Sequence, residues 1–307
     1  MIESYFPVLV LVLAFGIDFY LGEPPLFLHP VFYIGKLISF LRKTTENLTP
    51  FLRLNGFFLF SAVILVASIF LYFLKSLPEN LLTLIFFAIL LKTTFSVNLM
   101  MKIPEDVEKK LFQRNLKEAR LRVSEIVSRE TEDLDERLLT SATIESIAEN
   151  LTDSVVAPIF YYLFFGINGA FLYRCVNTMD SVIGYKNLKI GFFAAKFDDL
   201  LNLIPSRIGA FLMLFSAAIL KENFQNGFKV FFKDRGKTES PNAGQVISVM
   251  AGVLEVQLEK MNHHVMGDSK KPLNPSQIKR ALKIFQMTSF LFLIFSSIFL
   301  VVVGIWR

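Results

Sequence analysis

The sequence predicts an all-α, polytopic integral membrane protein with four to six transmembrane or re-entrant helices and long polar helical loops. Three observations carry that expectation. Apolar residues make up 53% of the 307 residues and are clumped into runs, several of them close to the 20 or so residues that cross a hydrocarbon core. Charged residues fall to 19%, against about a quarter in an ordinary soluble domain. Lys and Arg collect in three of the polar stretches between the runs, the pattern that orients membrane proteins.

In chain order the runs are Pro7–Leu21, Gly56–Leu74, Leu81–Met101, Val155–Tyr173, Leu203–Leu220 and Gln286–Ile305. Pro7–Leu21 holds one acid, Asp18. It lacks a basic flank and a small-residue cleavage pattern, so it reads as an anchor and not a cleaved leader. Gly56–Leu74 carries no charge. Leu81–Met101 carries one, Lys92, which is expected to pair with an acid on a neighbouring helix. Gln286–Ile305 runs into Trp306-Arg307, an interfacial pattern. Val155–Tyr173 is interrupted by Pro158, Gly166, Asn168 and Gly169, and Leu203–Leu220 by Pro205 and Arg207. These two read as broken or re-entrant. Irregular backbone at membrane depth is tolerated only inside protein or beside water, so such breaks point toward a site.

Pro104–Asn150 reads as soluble helices. Glu118/Arg122 and Glu125/Arg129 are spaced for i,i+4 pairs, and a helix restarts near Thr131–Leu134. Lys221–Ile284 is the other polar stretch, with a turn at Ser240-Pro241-Asn242-Ala243-Gly244. Residues 1–307 therefore read as a single membrane domain with polar helical insertions at about 102–154 and 221–284. The net charge, 32 − 27 = +5, reports topology and not nucleic-acid binding. One cysteine excludes an internal disulfide and any CxxC site, and Cys175 reads as a buried small hydrophobe. Adjacent His263 and His264 would diverge by about 100° on a helix, and they read as exposed loop. Phosphate-loop, dinucleotide, zinc-protease and nucleophile-elbow motifs are absent.

Five polar groups lie in or beside the apolar runs, where acids and amides are expensive. Asp18 leads to Gly22-Glu23-Pro24 and His29-Pro30; a plain membrane exit explains these as well as a site does. Glu145, Glu149, Asn150 and Asp153 run into Ala157-Pro158, and the three acids are four apart along one helical face. They are either a solvated face or holders of Mg²⁺, which binds through a few carboxylates plus phosphate oxygens. Asn177, Asp180, Ser181, Tyr185, Lys186 and Asn187 form a segment dense in hydrogen-bonding groups between two runs. Asp198-Asp199, Asn202 and Arg207 lead directly into an apolar run. Adjacent acids there repel unless a cation neutralises them, and a metal–phosphate site accounts for them better than a solvated surface. The Ser240–Gly244 turn follows Lys233, Arg235 and Lys237, and it is either a plain turn or a cradle of backbone N–H groups for phosphate.

In this order, over roughly residues 18–252, the groups resemble the CobD/CbiB family of cobalamin-biosynthesis membrane proteins. Ala119-Arg120, Arg129-Glu130-Thr131 and Tyr173-Arg174 add to the match. After Gly252 the family's Gly- and Tyr-containing stretch is replaced by Glu259–Gly267. The resemblance implies an adenosylcobinamide-phosphate synthase. Such an enzyme joins adenosylcobyric acid to (R)-1-aminopropan-2-ol or its O-phosphate, using ATP and Mg²⁺. It implies Asp198, Asp199 and one of Glu145, Glu149 or Asp153 on metal and nucleotide, with Glu149 the preferred third ligand. Arg207 or Lys186 would act on the phosphoryl group. Asp18, His29, Asn150, Asn177, Asp180, Tyr185, Asn202 and Asn242 would hold substrates. One acid would serve as base toward the amine. The resemblance places the protein in the cell membrane with its site open to the cytoplasm, where ATP is found. It leaves room for other late enzymes of that pathway as partners. Two other classes stay open, a non-catalytic sensor or regulatory relative of the same fold and a transporter.

Overall fold

The computed structural model describes residues 2–46, 52–184 and 188–305. Its elements are α1 (Ile2–Leu21), α2 (Pro30–Glu46), α3 (Leu52–Leu74), α4 (Leu81–Lys92), α5 (Asn98–Phe112), α6 (Leu116–Ser124), α7 (Glu136–Leu151), α8 (Ala157–Ile183), α9 (Phe192–Leu201), α10 (Leu203–Ile219), α11 (Phe224–Asp234), α12 (Ala243–Leu254), β1 (Leu258–Lys260), β2 (His264–Met266) and α13 (Ser276–Ile305). Leu52–Leu74, Glu136–Ile183 and Ser276–Gly304 are long and apolar enough to cross a membrane. Lys189–Leu201 and Leu203–Ile219 qualify as a fourth span when taken together. The protein is all-α and membrane-associated, and the hairpin β1–β2 is its one sheet among the described residues.

The chain divides into two compact units. The first comprises Met1–Ser96, Ala157–Asn202 and Phe295–Arg307, and the second Val97–Val156 and Leu203–Ile294. In the first unit α3 supplies Leu59, Val63, Ala67 and Leu71, a row at four-residue spacing, to a core shared with Phe171, Cys175, Val176 and Met179 of α8. Burying such a row removes about 25 cal/mol of unfavourable hydration per Å² of apolar surface. The other faces of α3 stay apolar and exposed, Phe58, Leu65 and Tyr72 among them, as a lipid-facing helix requires. Gly166 breaks α8 at φ 60°, a left-handed conformation that an L side chain resists.

In the second unit α12 is the core. Every residue from Gly244 to Leu254 is buried, and α7, α10 and α11 pack around it. A helix apolar all round and only 12 residues long is an interior helix and not a span. α11 crosses it closely, because Gly227 and Gly252 meet where a Cβ on either would collide with the other helix.

Four expectations are corrected. Leu81–Met101 is not one span. α4 ends at Lys92, where the ammonium turns to two carboxylates and the Thr93 and Thr94 hydroxyls donate to the Leu90 and Leu91 carbonyls. The restart near Thr131–Leu134 comes later, at Asp135, whose side chain accepts from the Leu138 N–H. The i,i+4 pairs in 118–129 are replaced. Arg122 binds Asp106 and Glu125, and Arg129 turns to Glu145. The polar stretch 221–284 contains α12, the most buried helix of its unit. Two expectations hold: Lys92 pairs with acids, and Cys175 is buried.

Candidate functional site

The structure gathers the polar residues into three networks, two in the first unit and one in the second. The first joins α1, α4 and the turn between α1 and α2. Lys92 Nζ lies 3.0 Å from Asp18 Oδ1 and 2.8 Å from Glu23 Oε1. It also donates to the Phe95 carbonyl at 3.3 Å. His29 Nε2 stands 3.5 Å from Glu23 Oε2. Lys92 is 0% exposed and Asp18 2%, so Glu23 and His29 are the members that reach the surface. Burial pushes the Glu23 carboxyl up, but hydrogen bonds from His29, Lys92 and Ser96 and the Lys92 charge outweigh it and hold the group at about 2.

The second network joins α8 and α9. Asp198 accepts from Asn177 Nδ2 at 3.2 Å on one oxygen and from Asn202 Nδ2 at 3.0 Å on the other. Tyr173 donates to Asn202 Oδ1 at 2.9 Å and Arg174 to Asn177 Oδ1 at 3.0 Å. Asp180 feels the charges of Asp198 and Asp199. Asp198 feels the charges of Asp199 and Arg174. Arg174 Nε is buried and has no hydrogen-bond partner among the described residues. A cavity of about 400 Å³ adjoins this network, lined by Tyr161, Asn168, Leu172, Tyr173, Val176 and Leu201 among others. Tyr161 and Tyr173 stack with centroids 5.3 Å apart on its wall.

The third network is in the second unit. Glu145 and Glu149 lie one turn apart on α7, and Asp153 sits in the π-helical turn Thr152–Val156 that follows. That turn adds a residue per turn and breaks the expected row of three; π-turns are common at functional sites. Glu145 Oε1 accepts from Ser141 at 2.9 Å and lies 3.6 Å from Arg129. His264 Nε2 lies 3.2 Å from Glu145 Oε2. The hairpin β1–β2 brings it there. Ser141 Oγ accepts from Glu259 N at 2.7 Å, and Arg137 binds the Glu259 carboxylate. Glu149 faces the charges of Glu145, Lys260, His264 and Arg129. An ionised carboxylate only accepts. Nε2 of His264 therefore carries the hydrogen of that bond.

His264 is thus not an exposed loop residue, as the sequence suggested; its side chain is 7% exposed, whereas that of His263 is 46% exposed. Nothing in its neighbours signals this, because the partner is 119 residues away. Arg174, Glu23 and Lys92 join the networks as members that the site reading did not include. Asn150 donates to the Ser146 carbonyl on α7 and accepts from Ser154 in the π-helical turn. Asn242 accepts from Ser206, and Arg207 donates to the Leu203 carbonyl. The Ser240–Gly244 turn is a cap and not an open phosphate cradle. Its Gly244 and Asn242 N–H groups already bond Thr238 and Ser240. Tyr185 and Lys186 lie outside the described residues.

The donor set suits a hard cation. Carboxylate oxygens match Mg²⁺, which takes one or two protein carboxylates and completes its shell with phosphate and water. Among the described residues no three His, Cys, Asp or Glu side chains gather closely enough to hold an ion by themselves, so Asp198 and Asp199 would hold Mg²⁺ together with phosphate.

The family profile described as CobD/Cbib protein matches residues 11–285. The chain belongs to the CobD/CbiB family. A probable cobalamin biosynthesis protein CobD of Methanothermobacter thermautotrophicus is 39% identical over 286 residues, covering 92% of this chain and 94% of that one. A probable CobD of Pyrococcus furiosus is 39% identical over 295 residues, with 95% and 98% covered. The cobalamin biosynthesis protein CobD of Dehalococcoides mccartyi is 35% identical over 285 residues, with 89% and 91% covered. No solved structure matches the chain. Family membership thus spans all three networks and includes the hairpin that carries His264.

Proposed function

We propose that this CobD/CbiB protein works in cobalamin biosynthesis. It would catalyse ATP-dependent ligation of adenosylcobyric acid to (R)-1-aminopropan-2-ol or its O-phosphate. The relatives' names support the pathway. The observation that carries the chemistry is the Asp198 network, in which two amides fix the Asp198 carboxylate, Arg174 and Asp199 lie in its field, and Asp180 feels both acids. Carboxylates gathered at the edge of an apolar span suit cationic ligands that arrive with the substrates.

The carboxylate oxygen of the acid attacks the γ-phosphorus of ATP, ADP leaves, and an acyl phosphate results. The amine nitrogen then attacks the acyl carbon, and inorganic phosphate leaves. The ammonium must first lose a proton, so the sum releases one proton per amide. Mg²⁺, when bound, neutralises phosphate charge during the transfer. Asp198 and Asp199 hold it, and Arg174 Nε donates to a phosphoryl oxygen. Asn177 and Asn202 fix the Asp198 carboxylate. One acid of this network takes the ammonium proton.

The test is turnover by purified protein in lipid, with adenosylcobyric acid, ATP and Mg²⁺ and each amine separately, product being followed by mass. Amide product with one amine, together with equimolar ADP and phosphate, is expected. No product with either amine from folded protein rejects the ligase, and AMP in place of ADP rejects the acyl-phosphate step.

A further inference from the structure

α11 divides its circumference into three sectors. Asn226, Gly227, Val230, Phe231 and Asp234 are buried against the rest of the second unit. Phe224, Phe228 and Phe232 follow one another at four-residue spacing and stand 45%, 48% and 54% exposed. Gln225, Lys229 and Lys233 fill the remaining arc, all exposed. At about 100° per residue the three phenylalanines cover an arc of about 80°, and the lysines adjoin it. A helix facing water on both open sectors has no reason to carry a row of three phenylalanines.

Two observations say what covers the row. α10 belongs to the fourth candidate span, and its outward residues Ile204, Phe211, Phe215 and Ile219 are all exposed. Phe211 packs on Phe231 with centroids 5.8 Å apart, and Leu214 lies beside Gly227. α11 therefore folds back along α10, and its phenylalanine row continues a surface that already faces lipid. Charge gives the second argument. Lys233 pairs with Asp268 and Lys237 with the buried Asp234, Glu222 is taken by Arg280, and the exposed Lys229 and Arg235 carry the outward charge. The Arg235 guanidinium lies over Phe231 and Phe232 at 5.1 and 5.0 Å, an aromatic–basic pairing suited to the headgroup layer.

We propose that α11 is an interfacial helix. It seats Phe224, Phe228 and Phe232 at the acyl boundary of an anionic leaflet, with Lys229 and Arg235 against lipid phosphates. The inference is independent of the proposed ligase, because it concerns lipid contact and not turnover.

Trp306 is the one tryptophan of the sequence, so a Trp306→Phe background makes a clean reporter. Full-length protein carrying Phe228→Trp is placed in vesicles of phosphatidylcholine with phosphatidylglycerol. Its emission is expected to be blue-shifted, strongly quenched by acyl-brominated lipid and weakly by acrylamide. Phe232→Trp should repeat the pattern, and Lys229→Trp should reverse it. Acrylamide quenching at 228 as complete as at 229 overturns the proposal. So does protection of 228 from both quenchers, which is what a second copy of the chain on that face would produce. A smaller blue shift in phosphatidylcholine alone is expected, and an equal shift overturns the anionic surface.

Discussion

Two groups of acids in the same unit are neutralised in opposite ways. Asp18 and Glu23 close on one buried ammonium, Lys92, with His29 against Glu23. Asp198 is held by two neutral amides, with Arg174 and Asp199 in its field and Asp180 close enough to feel both acids. The first group closes on a cation of its own unit. The second gathers carboxylates about neutral amides beside a cavity, where a metal–phosphate ligand would add countercharge. A closed ion cluster is a fastening, whereas an open one is a receptor.

The largest effect expected from this contrast falls on the open group. Asp199→Asn removes a charge and leaves the amide contacts of Asp198 in place. Loss of a metal-phosphate ligand is worth several kcal/mol, so turnover should fall on the order of 10³-fold. Thermal stability should hold or rise, because one repulsion is gone. An Asp199→Asn protein with full activity would sink the assignment, and one that fails to fold would mean that this group is a fastening too.

The closed group should respond in the other sense. Lys92→Met strands the buried Asp18 carboxylate and leaves Glu23 to His29, at a cost of about 3–5 kcal/mol for a buried pair broken. Folded protein should be lost from detergent extracts. Adding Asp18→Asn and Glu23→Gln to Lys92→Met should restore much of it, since neutral polar groups tolerate the site better than unpaired charge. If Lys92→Met folds and melts as the parent does, the contrast is wrong on this side.

His264 sharpens the comparison from the other unit. His264→Gln keeps a donor toward Glu145. His264→Leu leaves the Glu145 carboxylate to Ser141 and Arg129, at a cost of about 1–3 kcal/mol for a buried partner lost. It should melt below the parent, with His264→Gln in between. A His264→Leu protein that melts with the parent would show that the imidazole does not hold Glu145.

How much of this was legible beforehand follows from where each partner lies in the chain. The fold class and the runs at 56–74 and 203–220 rest on composition within one helix, and local pattern reports such features. The pairing of Lys92 was legible as a need, because a lysine in an apolar run must find an acid, but not which acid. The 12-residue length of α4 was not, since hydropathy continues through Phe95 and Val97 while the backbone turns at Thr93 and Thr94. His264 was illegible, because a hairpin 119 residues downstream delivers it to Glu145. α12 was hidden by its flanks, its apolar core being set between a basic turn and a polar hairpin.

The smallest effect expected is confined to acid. In the folded protein Glu23 is held at about 2, from an ordinary value of 4.5, with Lys92, His29 and Ser96 facing it. The depressed value fixes the sign. The stabilisation is complete above about pH 4.5 and is lost as pH falls from there toward 2. Between pH 6 and 8 Glu23 should contribute no slope to stability. Glu23→Gln therefore predicts two things at once. The variant should melt below the parent at pH 7, and the gap should narrow as the pH is lowered through 4 toward 2. A gap that stays constant across that range would mean that Glu23 matters for its shape alone. In that case the cluster would be fastened by Asp18 and Lys92, with the surface-reaching Glu23–His29 pair left over for something other than holding the helices together.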